Sequence, residues 1–135
     1  HAGIEIDAAP ISDITEIYHL LDSNTSVIGI DEAQFFSDDI VHVVDDLSEK
    51  GIRVVLAGLD MDFRGEPFGM MPILMSKAEK VDKLYAICMV CGEPATRTQR
   101  LVDGKPANYH DPIVIVGASE MYEARCGKHH IVPGK

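Results

Sequence analysis

The spacing of apolar side chains changes several times along this chain, and each change predicts an element. Ile11, Ile14, Ile17, Tyr18 and Leu21 recur at helical intervals, and Ser12 or Asp13 is placed to cap the start. Ser26 to Asp31 is a short apolar run of the kind that forms a buried parallel strand. Ser37-Asp38-Asp39 opens a second helix, with a hydroxyl cap followed by two acids where the helix dipole favours them. Its apolar face is Ile40, Val41, Val43, Val44 and Leu47, and Gly51 is placed to end it. Arg53 to Leu59 reads as another buried strand. Strand, helix and strand with short links make a βαβ unit, so an α/β architecture with a parallel sheet is expected.

Beyond Leu59, a Gly- and Pro-bearing loop over Asp60–Pro72 leads to a helix near Ile73–Lys80, then a strand over Val81–Ile87. From Cys88 the pattern shortens. Strand-like pieces at Thr96–Val102 and Ile113–Val116 are broken by Gly104, Pro106 and Pro112, and Ser119 is expected to start a brief helical turn before Cys126. A small β-rich lobe over 88–135, set beside a partial α/β domain over 1–87, accounts for the change.

Composition narrows the function. The chain has 135 residues, 46% of them hydrophobic, enough for one domain with a core. A net charge of −10 would repel a phosphate polymer, so nucleic acid is not an expected partner. No apolar stretch approaches the roughly 20 residues of a membrane span, and nothing resembles a secretion signal. A cytoplasmic protein is expected.

Three cysteines make an unlikely disulfide framework but a good metal site. Cys88-Met89-Val90-Cys91 and Cys126-Gly127-Lys128-His129 each place two ligands on one short turn. Two such turns supply four corners of a tetrahedron, and thiolates with an imidazole suit zinc. Four protein ligands leave no open position, so Zn²⁺ here would be structural. His130 competes with His129, and spacing favours His129. The competing reading is a redox CxxC, but such motifs open helices, whereas Gly92-Glu93-Pro94 reads as a turn.

The run Val27-Ile28-Gly29-Ile30 ends in Asp31 and Glu32. An acid at such a strand end can hold Mg²⁺ beside nucleotide phosphates, and a neighbouring acid can take a proton from an attacking hydroxyl. Equally, chains often emerge into water on acids. Phe35, Phe36, Phe63 and Phe68 could sandwich a flat base, or simply belong to the core. Asp60, Asp62 and Arg64 could form a local ion cluster.

In order along the chain, Gly29-Ile30-Asp31-Glu32-Ala33-Gln34-Phe35-Phe36 is followed by Ala57-Gly58-Leu59-Asp60. Phe63-Arg64-Gly65-Glu66-Pro67-Phe68-Gly69 comes next. Gly117-Ala118-Ser119-Glu120-Met121-Tyr122-Glu123 lies between the two ligand pairs. This ordered set resembles the type II, zinc-containing thymidine kinases of the cytosol, over nearly the whole chain. The resemblance implies a P-loop-NTPase-like parallel sheet beside a zinc lobe, ATP-dependent phosphorylation of the thymidine 5′-hydroxyl with Mg²⁺, and a homotetramer, and it leaves room for feedback by dTTP. Carried across, Glu32 would be the catalytic base and Asp31 would act on the Mg-ATP side. Phe35, Leu59, Phe63 and Phe68 would line the thymine pocket, with Thr98 near its base. Val114, Val116, Gly117 and Tyr122 would belong to a loop closing over the nucleoside.

Two departures accompany the resemblance. The family's second ligand pair is often CxxC, and here it ends in His129. The G-x-x-x-x-G-K-[ST] loop that cradles ATP phosphates does not occur in these residues, and Gly65 to Gly69 does not replace it. The expectation is therefore a segment ahead of His1 that carries this loop, and little phosphate transfer without it. The alternative is a non-catalytic nucleoside-binding or zinc-stabilised assembly module. A thiol redox protein built on Cys88 and Cys91 fits the remaining sequence poorly.

Overall fold

The computed structural model describes residue 3, residues 5–115 and residues 119–135. The first element is a 3₁₀ helix, Ile14–Leu20, where an α-helix was expected from the spacing. Asp13 caps it by accepting from the Thr15 amide at 2.8 Å, and Glu16 reaches back to the Asp13 amide, forming a capping box. β-branched Ile14, Thr15 and Ile17 restrict rotamers in so short a segment and weaken its α preference.

Strand β1, Val27–Ile30, pairs in parallel with β2, Arg53–Leu56, through helix α1, Asp39–Glu49. The register sets Val27 against Arg53 and Ile30 against Leu56. Main-chain bonds start α1, Ile40 N–H to Ser37 O and Val41 N–H to Asp38 O, in place of the expected hydroxyl cap. Its end follows the sequence closely. Gly51 adopts φ +77°, its N–H reaches Ser48 O, and the Ile52 N–H reaches Leu47 O. That pair of bonds is a Schellman motif, which needs the left-handed residue glycine supplies.

The sequence runs suggest strands buried on both faces, but β1 and β2 bury only one. The pleat sends alternate side chains to opposite sides, and α1 with the 3₁₀ helix covers the side of Ile28, Ile30, Val54 and Leu56. Val27 and Val55 remain exposed. Among the described residues the parallel sheet has two strands.

The main core comprises Ile14, Ile17, Ile30, Ala33, Ile40, Val43, Leu47, Met71 and Leu74. Leu47 is fully buried, and Leu47→Ala should cost about 2–5 kcal/mol. Chemical denaturation followed by far-UV circular dichroism would show it as a lowered midpoint at unchanged slope.

Helix α2, Met71–Lys77, begins earlier and ends sooner than the pattern indicates, since Pro72 suits a first turn and Ala78 turns extended. The strand expected over Val81–Ile87 shrinks to β3, Ala86–Ile87, paired with β4, Pro94–Ala95. Within that stretch Ala86 and Ile87 find a strand partner, and Val81 to Tyr85 run exposed without regular structure.

A three-stranded antiparallel sheet completes the structure, ordered β6, β5, β7. Strand β5 is Arg97–Val102, β6 is Lys105–Pro106 and β7 is Glu120–Arg125. Asp103 and Gly104, both at positive φ, form the two-residue turn between β5 and β6. The helical turn expected after Ser119 is in fact the entry to β7, which pairs with β5 along six residues. Ile113 to Ile115 are not a strand. The carbonyls of Pro112 and Ile113 are taken instead by the side chain of Arg100.

Candidate functional site

Chain reversal at the end of β1 builds the first part of the site. Glu32 sits in the left-handed region at φ 54°, ψ 40°. A non-glycine residue held there costs about 1–3 kcal/mol and such residues cluster at functional positions. Its amide donates to Asp31 Oδ1 at 2.8 Å, and a short 3₁₀ turn, Ala33–Phe35, follows. Asp31 and Glu32 are both exposed, whereas Gln34 is buried.

Gln34 ties the acidic tip to the end of β2. Its Nε2 donates to Glu32 Oε2 at 2.6 Å, and its Oε1 accepts from the Leu59 amide at 3.1 Å. The fit is close. A Cβ at Gly58 would lie 2.5 Å from Gln34 Oε1, and one at Gly69 would lie 2.6 Å from the Gln34 carbonyl oxygen. The sequence gives no hint of this bridge beyond a polar residue beside two acids.

Glu32, Phe35, Leu59, Phe63, Phe68, Thr98, Val114 and Tyr122 are among the many residues that border one broad, open groove of about 1650 Å³. Asp31 stands outside that lining. Phe63 is buried, but Phe35 is 57% exposed and meets Phe68 edge to face at 5.5 Å. Val116 and Gly117 lie outside the described residues. Asp62 and Arg64 form a local ion pair at 2.8 Å, and Asp62 also accepts from the Arg64 and Glu66 amides, so this pair shapes the loop itself. Asp60 pairs with Lys83 at 2.8 Å.

Strand β5 borders this groove and also contacts the C-terminal segment. Thr98 and Arg100 project to one side of its pleat and Gln99 to the other. Gln99 exchanges two bonds with the Ile131 main chain, at 2.9 and 2.8 Å. Arg100 is buried at 1% exposure, lies 3.9 Å over the Phe63 ring, and donates from Nε to the Tyr122 hydroxyl at 3.0 Å. Sequence reasoning passes over Arg100 because arginine is ordinarily a surface residue.

Cys88, Cys91, Cys126 and His129 bring their ligand atoms within 4.8 Å of one another. Cys91 Sγ lies 3.7 Å from Cys126 Sγ, and His129 Nδ1 lies 3.2 Å from Cys126 Sγ and 3.9 Å from Cys88 Sγ. A tetrahedron with zinc–sulfur arms of about 2.3 Å has edges of about 3.8 Å, so the cluster can hold zinc. Desolvation opposes ionisation of Cys88, yet the amides of Cys126, Cys91 and Val90, with the Cys91 thiol, bring it down to about 6. Cys91 is pushed up: the Glu93 amide opposes this, but desolvation and the neighbouring thiols prevail. The amides around Cys88 thus favour the thiolate, the form a metal binds. His130 takes no part, because its Nε2 donates to the Phe63 carbonyl at 2.7 Å.

No helix among the described residues is long and apolar enough to cross a membrane. Compared with known protein families, the chain matches the one described as thymidine kinase, over residues 1–130.

Proposed function

The chain belongs to the thymidine kinase family, and from that premise we propose that it takes part in ATP-dependent phosphorylation of the 5′-hydroxyl of thymidine. The observation that carries this reading is the tie from Glu32 through Gln34 to the Leu59 amide, at the edge of an open groove that Phe63, Phe68, Thr98 and Tyr122 also line among many other residues. The aromatic and apolar side chains of Phe35, Leu59, Phe63 and Phe68 suit the flat face of a base, and a carboxylate at the rim suits proton removal from a nucleoside hydroxyl.

In this reading Glu32 accepts the 5′-hydroxyl proton as that oxygen attacks the transferring phosphoryl group. Gln34 fixes the carboxylate through its 2.6 Å bond and so limits the orientations Glu32 can adopt. Asp31, an oxygen donor at the same strand end, faces the Mg-ATP side; Mg²⁺ bound with ATP would neutralise phosphate charge there. Phe35 and Phe68 form one wall of the base pocket and Phe63 the other, with Thr98 at its floor. The segment of Val114, Val116, Gly117 and Tyr122 closes over the nucleoside and excludes water. We read β1 and β2 as part of a P-loop-NTPase-like parallel sheet, the Cys₃His cluster as structural, and the working protein as a cytoplasmic homotetramer.

The test is phosphorylation of thymidine by the complete gene product, because the G-x-x-x-x-G-K-[ST] pattern is not among these 135 residues. Formation of dTMP with ATP and Mg²⁺ is expected, with thymidine bound more tightly than cytidine by calorimetry. Equal affinity for the two nucleosides would reject the pocket assignment. Thymidine binding without phosphate transfer would favour a non-catalytic nucleoside-binding module.

A further inference from the structure

A buried guanidinium is an expensive way to fill space. Desolvating it is costly unless its donors are used, and an apolar side chain could occupy the same volume without that cost. Arg100 is 1% exposed, and among the described residues no carboxylate forms an ion pair with it. Its donors go elsewhere: Nε to the Tyr122 hydroxyl at 3.0 Å, one terminal nitrogen to the Pro112 carbonyl, and the other to the Ile113 carbonyl. Its Cζ lies 3.9 Å from the centre of the Phe63 ring and 5.5 Å from that of Tyr122. No other side chain can grip two main-chain carbonyls and a phenol at once while holding its cation over an aromatic face.

Those four partners come from three separate parts of the chain. Phe63 follows β2, Pro112 and Ile113 open the segment that runs along the cavity as Ile113, Val114 and Ile115, and Tyr122 is the residue directly opposite Arg100 on β7. We propose that Arg100 is a positioning residue of the nucleoside pocket. It anchors the start of the covering segment and fixes the Phe63 ring and the Tyr122 hydroxyl, acting through them on the bound base. The inference rests on the nucleoside reading given above for what the pocket binds, but the anchoring itself can be measured without any ligand.

Two variants of the complete gene product separate this role from simple core packing. Arg100→Lys keeps the cation but cannot span both carbonyls and the phenol. Arg100→Met keeps much of the volume and removes the charge. In at least one of them, zinc content and the KM for ATP should stay near wild type while the KM for thymidine rises about 10- to 100-fold. That size follows from losing several charge-assisted hydrogen bonds. The kcat at saturating thymidine should fall much less. Hydrogen exchange without nucleoside should quicken at Ile113 to Ile115 and Glu120 to Tyr122, and stay slow around Cys88 to Ala95.

An unchanged thymidine KM and unchanged exchange in a folded variant would overturn the proposal. Loss of cooperative melting and of zinc in both variants would also overturn it, by making Arg100 a plain core residue. If the wild-type protein bound no thymidine, the nucleoside reading would fail, while local loosening confined to the covering segment would still establish the anchor.

Discussion

In the complete gene product, Glu32→Gln should lower kcat for thymidine phosphorylation by about 10²–10⁴-fold, the range for removing a general base. The substitution isolates the proton. Glutamine has the same length and, like glutamate, can accept the 2.6 Å bond from Gln34 Nε2 through its side-chain oxygen. The left-handed backbone at φ 54° is no harder for glutamine than for glutamate, so the strand end should keep its shape. What is lost is the ability to accept a proton from the attacking hydroxyl. Thymidine KM should therefore move little, the signature of an interaction made in the transition state. A near-normal kcat in this variant would remove Glu32 from the role of base. An equal rise in thymidine KM with kcat preserved would place it among the binding groups instead.

How far the sequence carries this picture differs by element. The β1–α1–β2 unit is readable because each piece announces itself locally, through an apolar run, a 3.6-residue stripe and Gly51 at the stop. The metal quartet is readable for a similar reason, since two ligand pairs on short turns have little freedom to do anything else. Strand β7 is another matter. Glu120 to Arg125 carries no strong alternation, and its strand form comes from the six-residue register with β5, a partner about 20 residues away in sequence. Ile113 to Ile115 shows the reverse error: a β-branched run looks like a strand, but its first carbonyl is satisfied by a guanidinium. Gln34 and Arg100 escape notice for one cause. Each is polar by type, and only the three-dimensional arrangement supplies the buried acceptors and donors that hold it inside.

Cys88→Ala should strip the small lobe of its metal and of its fold together. The nine residues of the main apolar cluster all precede Met75, and among the described residues beyond Leu74 the buried apolar positions are Cys88, Ala95 and Ala107. Three small side chains bury too little surface to offset the conformational entropy of ordering some fifty residues. A structural zinc ion contributes on the order of 10 kcal/mol in comparably small domains, so the lobe should depend on it. Cys88 is the sensitive ligand, because it is buried and because its main chain is already committed: its N–H donates to Glu93 O at 2.8 Å and its carbonyl accepts from Gly92 at 2.9 Å. Removing the thiolate leaves Cys91, Cys126 and His129 as an incomplete ligand set. Metal analysis should then find little zinc, and amides of Arg97 to Val102 and Glu120 to Arg125 should lose exchange protection, while α1 keeps its own. Because His130 holds the Phe63 carbonyl at 2.7 Å from the residue next to a metal ligand, thymidine binding should weaken in the same variant. A Cys88→Ala protein that stayed metal-free with its lobe fully protected would show that the ion is not what folds it.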